Sequence, residues 1–376
     1  MRILFASADD ATDINSWSGT PFHMLEALQG VADEVINLSP LKQRLRYPLK
    51  AIEVAHNRVL ATSYRRDREP FVANGYRQQI KSAIERFRPD LVISPSTIPV
   101  ATLDTPTPFI FWTDATFNGM LGYYPDFTNL SPRYLRVGES MESRALSRAS
   151  LAVYTSEWAA ESAREHYGLS SEKVVVVPYG ANFANVPRAK KNLDLDPVRL
   201  LCIGGDWVRK GIDTTVNLAI ELNRRGVPTI LDTVGCLPPS DSTIPEFVHV
   251  HPYLDKAVDA DRQKLEKLLR AASFFALPSR ADCTPIVLAE AQAYGVPVLA
   301  TRTGGIESMI SNGESGQAFE SSAFVQNAAN LVESASADPS LYGALSDGAR
   351  SYYEEKFRWP QVVDQLSREI RNRALV

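Results

Sequence analysis

At 376 residues the chain is too long for one typical hydrophobic core, so two domains are the default expectation. Its 44% hydrophobic and 22% charged residues are ordinary for a soluble globular protein, and three scattered cysteines argue against a disulfide framework and fit a reducing compartment. The net charge of −4 hides an asymmetry, because residues 42–88 carry twelve Lys or Arg against four acids, a local balance of +8. Leu45, Tyr47, Leu49, Val59, Leu60 and Tyr64 are interleaved with these charges. A charge run is usually a solvated face. The functional alternative is contact with an anionic membrane surface, and no nucleic-acid recognition motif accompanies the charge. No apolar run approaches the length of a transmembrane helix. The N-terminus, MRILFASADD, lacks the apolar core and cleavage site of a signal peptide. The expectation is a cytoplasmic protein, peripheral at most to the inner face of the membrane.

Taken in chain order, strand, loop and helix alternate in both halves. Apolar runs at residues 3–8, 34–38, 91–94, 108–112, 151–155 and 174–177 predict strands, separated by helix-like segments at 21–29, 80–87, 134–148 and 157–167. Strands alternating with crossover helices imply a parallel sheet covered on both faces. After the first strand, Trp17 and Ser18-Gly19-Thr20 lead into a helix with Pro21 at a favourable first-turn position and His23 one turn in. Thr113-Asp114 lies at a strand's carboxyl end, where α/β folds place ligands. Asp114 reads there as a site acid or as an N-cap.

Residues 186–197, VPRAKKNLDLDP, are polar and flanked by prolines, and they read as a linker. The alternation then restarts, with strands expected at 199–205, 228–235, 247–253, 274–279, 297–303 and 316–319, and helices at 212–225, 260–271 and 285–294. Beyond residue 323 the pattern is helical. In LLCIGGDWVRKGID, residues 200–213, a buried strand ends in Gly204-Gly205 and Arg209-Lys210-Gly211 open a helix. Glycines let backbone approach a ligand, a helix N-terminus attracts anions, and a basic pair there neutralises a diphosphate. His249 and His251 alternate along one strand without an evident third ligand, and both read as structural.

The most informative stretch is PSRADCTPIVLAEAQAYGVPVLATRTGGIESMI, residues 278–310. Asp282 and Glu290 stand eight residues apart, with Pro285 and an apolar helix-like run between them and a strand and a Thr-Gly-Gly turn after them. The spacing puts Asp282 just ahead of a helix and Glu290 about two turns on, near the same face. Two carboxylates so placed can hold two polyols in a row, such as a hexose and a ribose. The bland alternative is an N-cap and a solvated helix residue.

This segment resembles the donor-sugar motif of the retaining GT-B glycosyltransferases of family 4, an acid, seven residues, then Glu. Asp282 stands where that family usually has Glu. The Gly204–Lys210 loop resembles the family's diphosphate loop: Lys210 falls on the family Lys, while Gly205 occupies the usual Arg position. The loop at Gly19-Thr20 resembles the family's N-terminal glycine loop, and Asp114 matches the acid of a His-Asp pair whose His is Thr113 here. The resemblance implies two Rossmann-like domains facing across a cleft. Residues 1–185 form the acceptor domain, 186–197 a linker, 198–358 the nucleotide-sugar domain, and 359–376 a C-terminal helix crossing back to the first domain. It implies a retaining hexosyltransferase that moves sugar from a nucleotide diphosphate sugar to an unknown hydroxyl acceptor, in glycan, glycolipid or polysaccharide biosynthesis. Neither metal nor further cofactor is implied. Gly19, Thr20, Arg209, Lys210, Asp282, Cys283, Thr284 and Glu290 would bind donor, with His23 and Asp114 as candidate catalytic groups. A GT-B phosphorylase or epimerase, or a non-catalytic sugar-nucleotide-binding protein, shares these features. A dinucleotide oxidoreductase is disfavoured, because neither half carries G-x-G-x-x-G.

Overall fold

The computed structural model describes residues 1–43, 46–59, 63–183, 186 and 195–375. It divides into two compact units, Met1–Tyr179 with Trp359–Val376, and Gly180–Arg358. Most of the expected linker lies outside the described residues. Val186 and Leu195 are buried in the core of the second unit, so chain ahead of residue 198 already belongs to it.

In the first unit, strands β1 (Arg2–Ala6), β2 (Glu34–Leu38), β3 (Leu91–Ser94), β4 (Phe109–Thr113), β5 (Leu151–Tyr154) and β6 (Val174–Val176) form one parallel sheet in the order β2-β1-β3-β4-β5-β6. Strands β3, β4 and β5 are buried along their whole length, which is why they read as continuous apolar runs. Helices α1 (Thr20–Gln29), α2 (Arg46–Val59), α3 (Pro70–Phe87), α4 (Phe117–Met120), α5 (Pro132–Arg148) and α6 (Glu157–Glu165) connect them. Ser131 and Ser156 cap α5 and α6 by accepting from Tyr134 N and Ala159 N. Helix α3 starts ten residues before the expected 80–87. Pro70 opens it, and Val72, Tyr76, Ile80 and Ala83 make one buried stripe. Helix α2 lies in the basic segment, where charge masked the apolar periodicity.

The second unit repeats the plan. Strands β7 (Val198–Ile203), β8 (Thr229–Val234), β9 (Val248–His251), β10 (Phe274–Leu277), β11 (Val298–Thr301) and β12 (Gly316–Phe319) form a parallel sheet in the order β12-β11-β10-β7-β8-β9. Its helices are α7 (Ile212–Arg224), α8 (Asp259–Ala271), α9 (Ile286–Ala293), α10 (Phe324–Ala337) and α11 (Pro339–Lys356). The last helix, α12 (Trp359–Asn372), belongs to the first unit. It buries Val362, Val363, Leu366 and Ile370, and Gln365 Nε2 donates to the Val176 carbonyl at 3.0 Å.

Candidate functional site

In the second sheet the first strand, β7, lies between β8 and β10. The chain builds outward from β7 in one direction and then in the other, so the β7/β10 boundary is a topological switch point. Loops leaving the carboxyl ends of such a pair diverge and open a crevice for ligands. Lys210 comes from the loop after β7 and Asp282 from the loop after β10. Across the boundary, Lys210 Nζ donates to Asp282 Oδ2 at 2.5 Å. Arg209 Nη1 donates to the Ala281 carbonyl at 3.0 Å and lies 4.0 Å from Asp282 Oδ2. Ser279 Oγ donates to the same Asp282 oxygen at 3.3 Å.

Glycines make this approach possible. At Gly211, the N-cap of α7, φ is +69° and an added Cβ would lie 2.0 Å from the Pro278 carbonyl oxygen. A Cβ on Gly204 would meet the Lys210 stem at 2.7 Å. The two loops thus come together at Gly211 only because it lacks a side chain, and Gly204 leaves room for the Lys210 stem.

Asp282 lies just ahead of a helix, as the spacing suggests, but the N-cap is Pro285 and not Asp282. Helix α9 begins at Ile286 behind Pro285, which has no N–H to offer, so the Asp282 carboxylate takes its partners from Lys210 and Ser279 instead. Cys283 is buried, and Thr284 donates its hydroxyl to the Cys283 carbonyl at 2.8 Å. Glu290, two turns along, is no solvated helix residue, being 1% exposed. Its Oε1 accepts from Lys256 Nζ at 2.5 Å, and its Oε2 is buried without a hydrogen-bond partner among the described residues. The Lys256 ammonium also lies 4.8 Å from the centre of the Phe183 ring.

The loop after β1 ends in three successive left-handed residues, Trp17, Ser18 and Gly19, the last being the N-cap of α1 at φ +84°. Thr20 is the first residue of α1 and is buried. His23 is buried too. Its Nδ1 is 3.2 Å from Glu26 Oε2 and its ring stacks on Trp359 of α12, with centroids 6.5 Å apart. Asp114 follows β4 and is half-buried. The cap of α4 is Thr116, which accepts from Gly119 N, so the N-cap reading of Asp114 does not hold.

Two family models match the chain in series. Residues 26–184 match the family described as Glycosyltransferase Family 4, and residues 187–352 match Glycosyl transferases group 1. The chain belongs to this GT-B glycosyltransferase family. It is 30% identical over 173 residues to a D-inositol 3-phosphate glycosyltransferase of Gordonia bronchialis, a match spanning 45% of this chain and 31% of that protein. A protein of the same description from Streptomyces bingchenggensis is 27% identical over 241 residues, spanning 59% of this chain and 52% of that one. The chain therefore spans about half or less of these relatives. Among solved structures, sucrose-phosphate synthase from Thermosynechococcus elongatus superposes with a TM-score of 0.68 over 99% of this chain and 98% of that one, at 14% identity. Two parallel six-stranded units of this kind are the GT-B fold.

Within this glycosyltransferase chain, Lys256 is the residue that the sequence reading missed. It stands in the loop between β9 and α8, 34 residues ahead of Glu290, and no local pattern ties the two together. The paired histidines have a partner unseen in the sequence: Asp232 Oδ1 on β8 lies 2.7 Å from His251 Nε2 and 3.5 Å from His249 Nδ1. Among the described residues no group of three His, Cys, Asp or Glu side chains is arranged to hold a metal ion.

Proposed function

We propose that this chain transfers a hexose from a nucleotide diphosphate sugar to an acceptor hydroxyl, with retention at the anomeric carbon and without a metal ion. The observation that carries the reading is the Lys210–Asp282 pair across the switch point of the second sheet, with Arg209 beside it. A departing nucleoside diphosphate develops charge, and stabilising that charge is the largest demand on the site. Lys210 and Arg209 supply two cations where the diphosphate would lie. A diphosphate oxygen competes with Asp282 for the Lys210 ammonium, and the carboxylate so released can accept hydroxyl hydrogen bonds from the sugar. Glu290, with its Oε2 unpaired among the described residues, suits the ribose. Gly19 and Thr20, after β1, are the remaining donor-binding residues of the reading, and His23 on α1 and Asp114 after β4 are its candidate catalytic groups. Further support comes from HepE of Anabaena, whose solved structure in complex with UDP and glucose superposes with a TM-score of 0.63 at 16% identity over 99% of this chain and 100% of that one.

The test is a thermal-shift and calorimetric screen of UDP-, GDP- and ADP-sugars. A ligand at 100 times its Kd stabilises by about 2.7 kcal/mol, which reads as a clear rise in melting temperature. Turnover of the sugar that binds, with α-linked product from an α-linked donor, supports the reading. Binding of none of them overturns it. Binding without turnover across a broad acceptor panel favours a sugar-nucleotide-binding protein instead.

A further inference from the structure

We propose that Lys256 is a positioning and specificity residue which, with Glu290, reads the vicinal diol of the donor's ribose. The inference rests on the donor-site reading above and adds to it a second side chain and a selectivity. A carboxylate as deeply buried as Glu290 is costly unless a counter-charge is held against it. Lys256 provides that charge at 2.5 Å, on one oxygen only. The other oxygen, Oε2, has no hydrogen-bond partner among the described residues, although buried polar atoms are almost always paired. An acceptor left open in this way points to a donor hydroxyl supplied from outside the chain.

The lysine is held in place from two sides. The loop before α8 is pinned because Asp261 Oδ2 accepts from Asp255 N at 3.0 Å and Asp255 Oδ1 accepts from Ala257 N at 2.8 Å. The ammonium also rests against the Phe183 ring, whose edge-to-face partner is Tyr294 just past α9. An ammonium has three N–H donors. One goes to Glu290 Oε1 and the ring face takes a second, which leaves a third for a ligand. A donor next to an acceptor on a rigid base matches two adjacent hydroxyls, one accepting from Lys256 and the other donating to Glu290. A single hydroxyl would satisfy only one of them. The pair therefore favours ribonucleotide over 2′-deoxyribonucleotide donors.

The experiment compares UDP, GDP and ADP with their 2′-deoxy forms by calorimetry, in the parent and in Lys256→Met. Ribo and deoxy forms carry the same charge, so the general loss of a cation cancels in their ratio. The parent is expected to bind the ribo form of its preferred diphosphate about tenfold or more tightly than the deoxy form. Lys256→Met should bring that ratio close to one. If the variant does not fold, Lys256→Arg serves, because a guanidinium keeps the charge but not the donor position, and its ratio should fall as well. A ratio unchanged in the variant, however far both affinities drop, reduces Lys256 to a structural counter-charge and overturns the inference. A parent ratio near one also overturns it, and if that binding still depends on Lys210 the donor-site reading survives. Failure of the parent to bind any of the diphosphates removes both.

Discussion

Replacing Lys210 by Met separates what the lysine does for the fold from what it does for a ligand. The Lys210 and Asp282 side chains are 14% and 8% exposed, so Met leaves a carboxylate largely buried without its closest counter-charge. Breaking a fully buried pair costs about 3–5 kcal/mol. Here Arg209 remains 4.0 Å from the carboxylate and Ser279 still donates to it, so about 2 kcal/mol is the expected loss for a partly screened site. A unit of this size loses about 2–4 °C of melting temperature per kcal/mol, which predicts a fall of about 4–8 °C. Adding Asp282→Asn removes the orphaned charge and should recover most of that stability. Nucleotide binding should not recover. A charge-assisted contact to the diphosphate is worth about 1.5–3 kcal/mol, so Kd should rise about 10- to 150-fold in the single and the double variant alike. Differential scanning calorimetry and titration with the preferred diphosphate read the two effects independently. Binding that returns together with stability in the double variant would refute the assignment, because Lys210 would then matter only as a counter-ion.

Turnover should persist in a chelator and gain nothing from added magnesium or manganese, since Arg209 and Lys210 supply the positive charge; activity restored only by a divalent ion would contradict this. Lys42, Lys50, Lys81, Arg86 and Arg88 are exposed, as are Ile52 on α2 and Phe71 on α3, so salt-sensitive co-sedimentation with anionic vesicles is expected, at about 1 kcal/mol per engaged basic side chain. No binding at low salt would leave the solvated-face reading. Arg88 closes α3 in the left-handed region at φ +48°, so Arg88→Gly should stabilise by about 0.5–1 kcal/mol in thermal or denaturant unfolding, and a loss would show that its side chain carries the turn. Burial pushes the Cys202 thiol up to about 12, above its unfolded value of about 8.5. The neutral thiol therefore favours the fold fully below about pH 8.5, and this contribution is lost as pH rises from there toward 12. Cys202→Ala should flatten the first part of that alkaline decline, measured as melting temperature against pH.

The fold was legible because both sheets are parallel and centrally buried, so their strands stand out as short apolar runs between helical segments. Strand β8 announces itself through Thr229–Val234 and β10 through four consecutive buried residues. The two loops that meet at the switch point were legible for a different reason: each follows directly on an apolar strand, with Gly204 and Lys210 after β7 and Asp282 after β10. Position in the sequence fails where partners are remote. Nothing near residue 256 signals Glu290, and nothing near His249 signals Asp232 on the neighbouring strand. Charge also misleads. Within the basic segment Arg68 is buried over the Phe117 ring at 4.6 Å, Arg66 pairs with Glu53, and Arg65 reaches Asp67 and Asp126, so part of the +8 balance serves the interior and local ion pairs.

That α12 belongs to the first unit has a consequence for synthesis. On the ribosome, β6 and α1 emerge long before Trp359, Val362 and Leu366, and the whole of the second unit is made in between. Until then the His23 and Trp112 rings lack the indole they pack against, and the Val176 carbonyl lacks its Gln365 donor. The second unit, continuous in sequence, can close on its own core as soon as Arg358 has left the exit tunnel. The first to be translated is thus the last to be completed, and its unfinished apolar face is the one most in need of a chaperone.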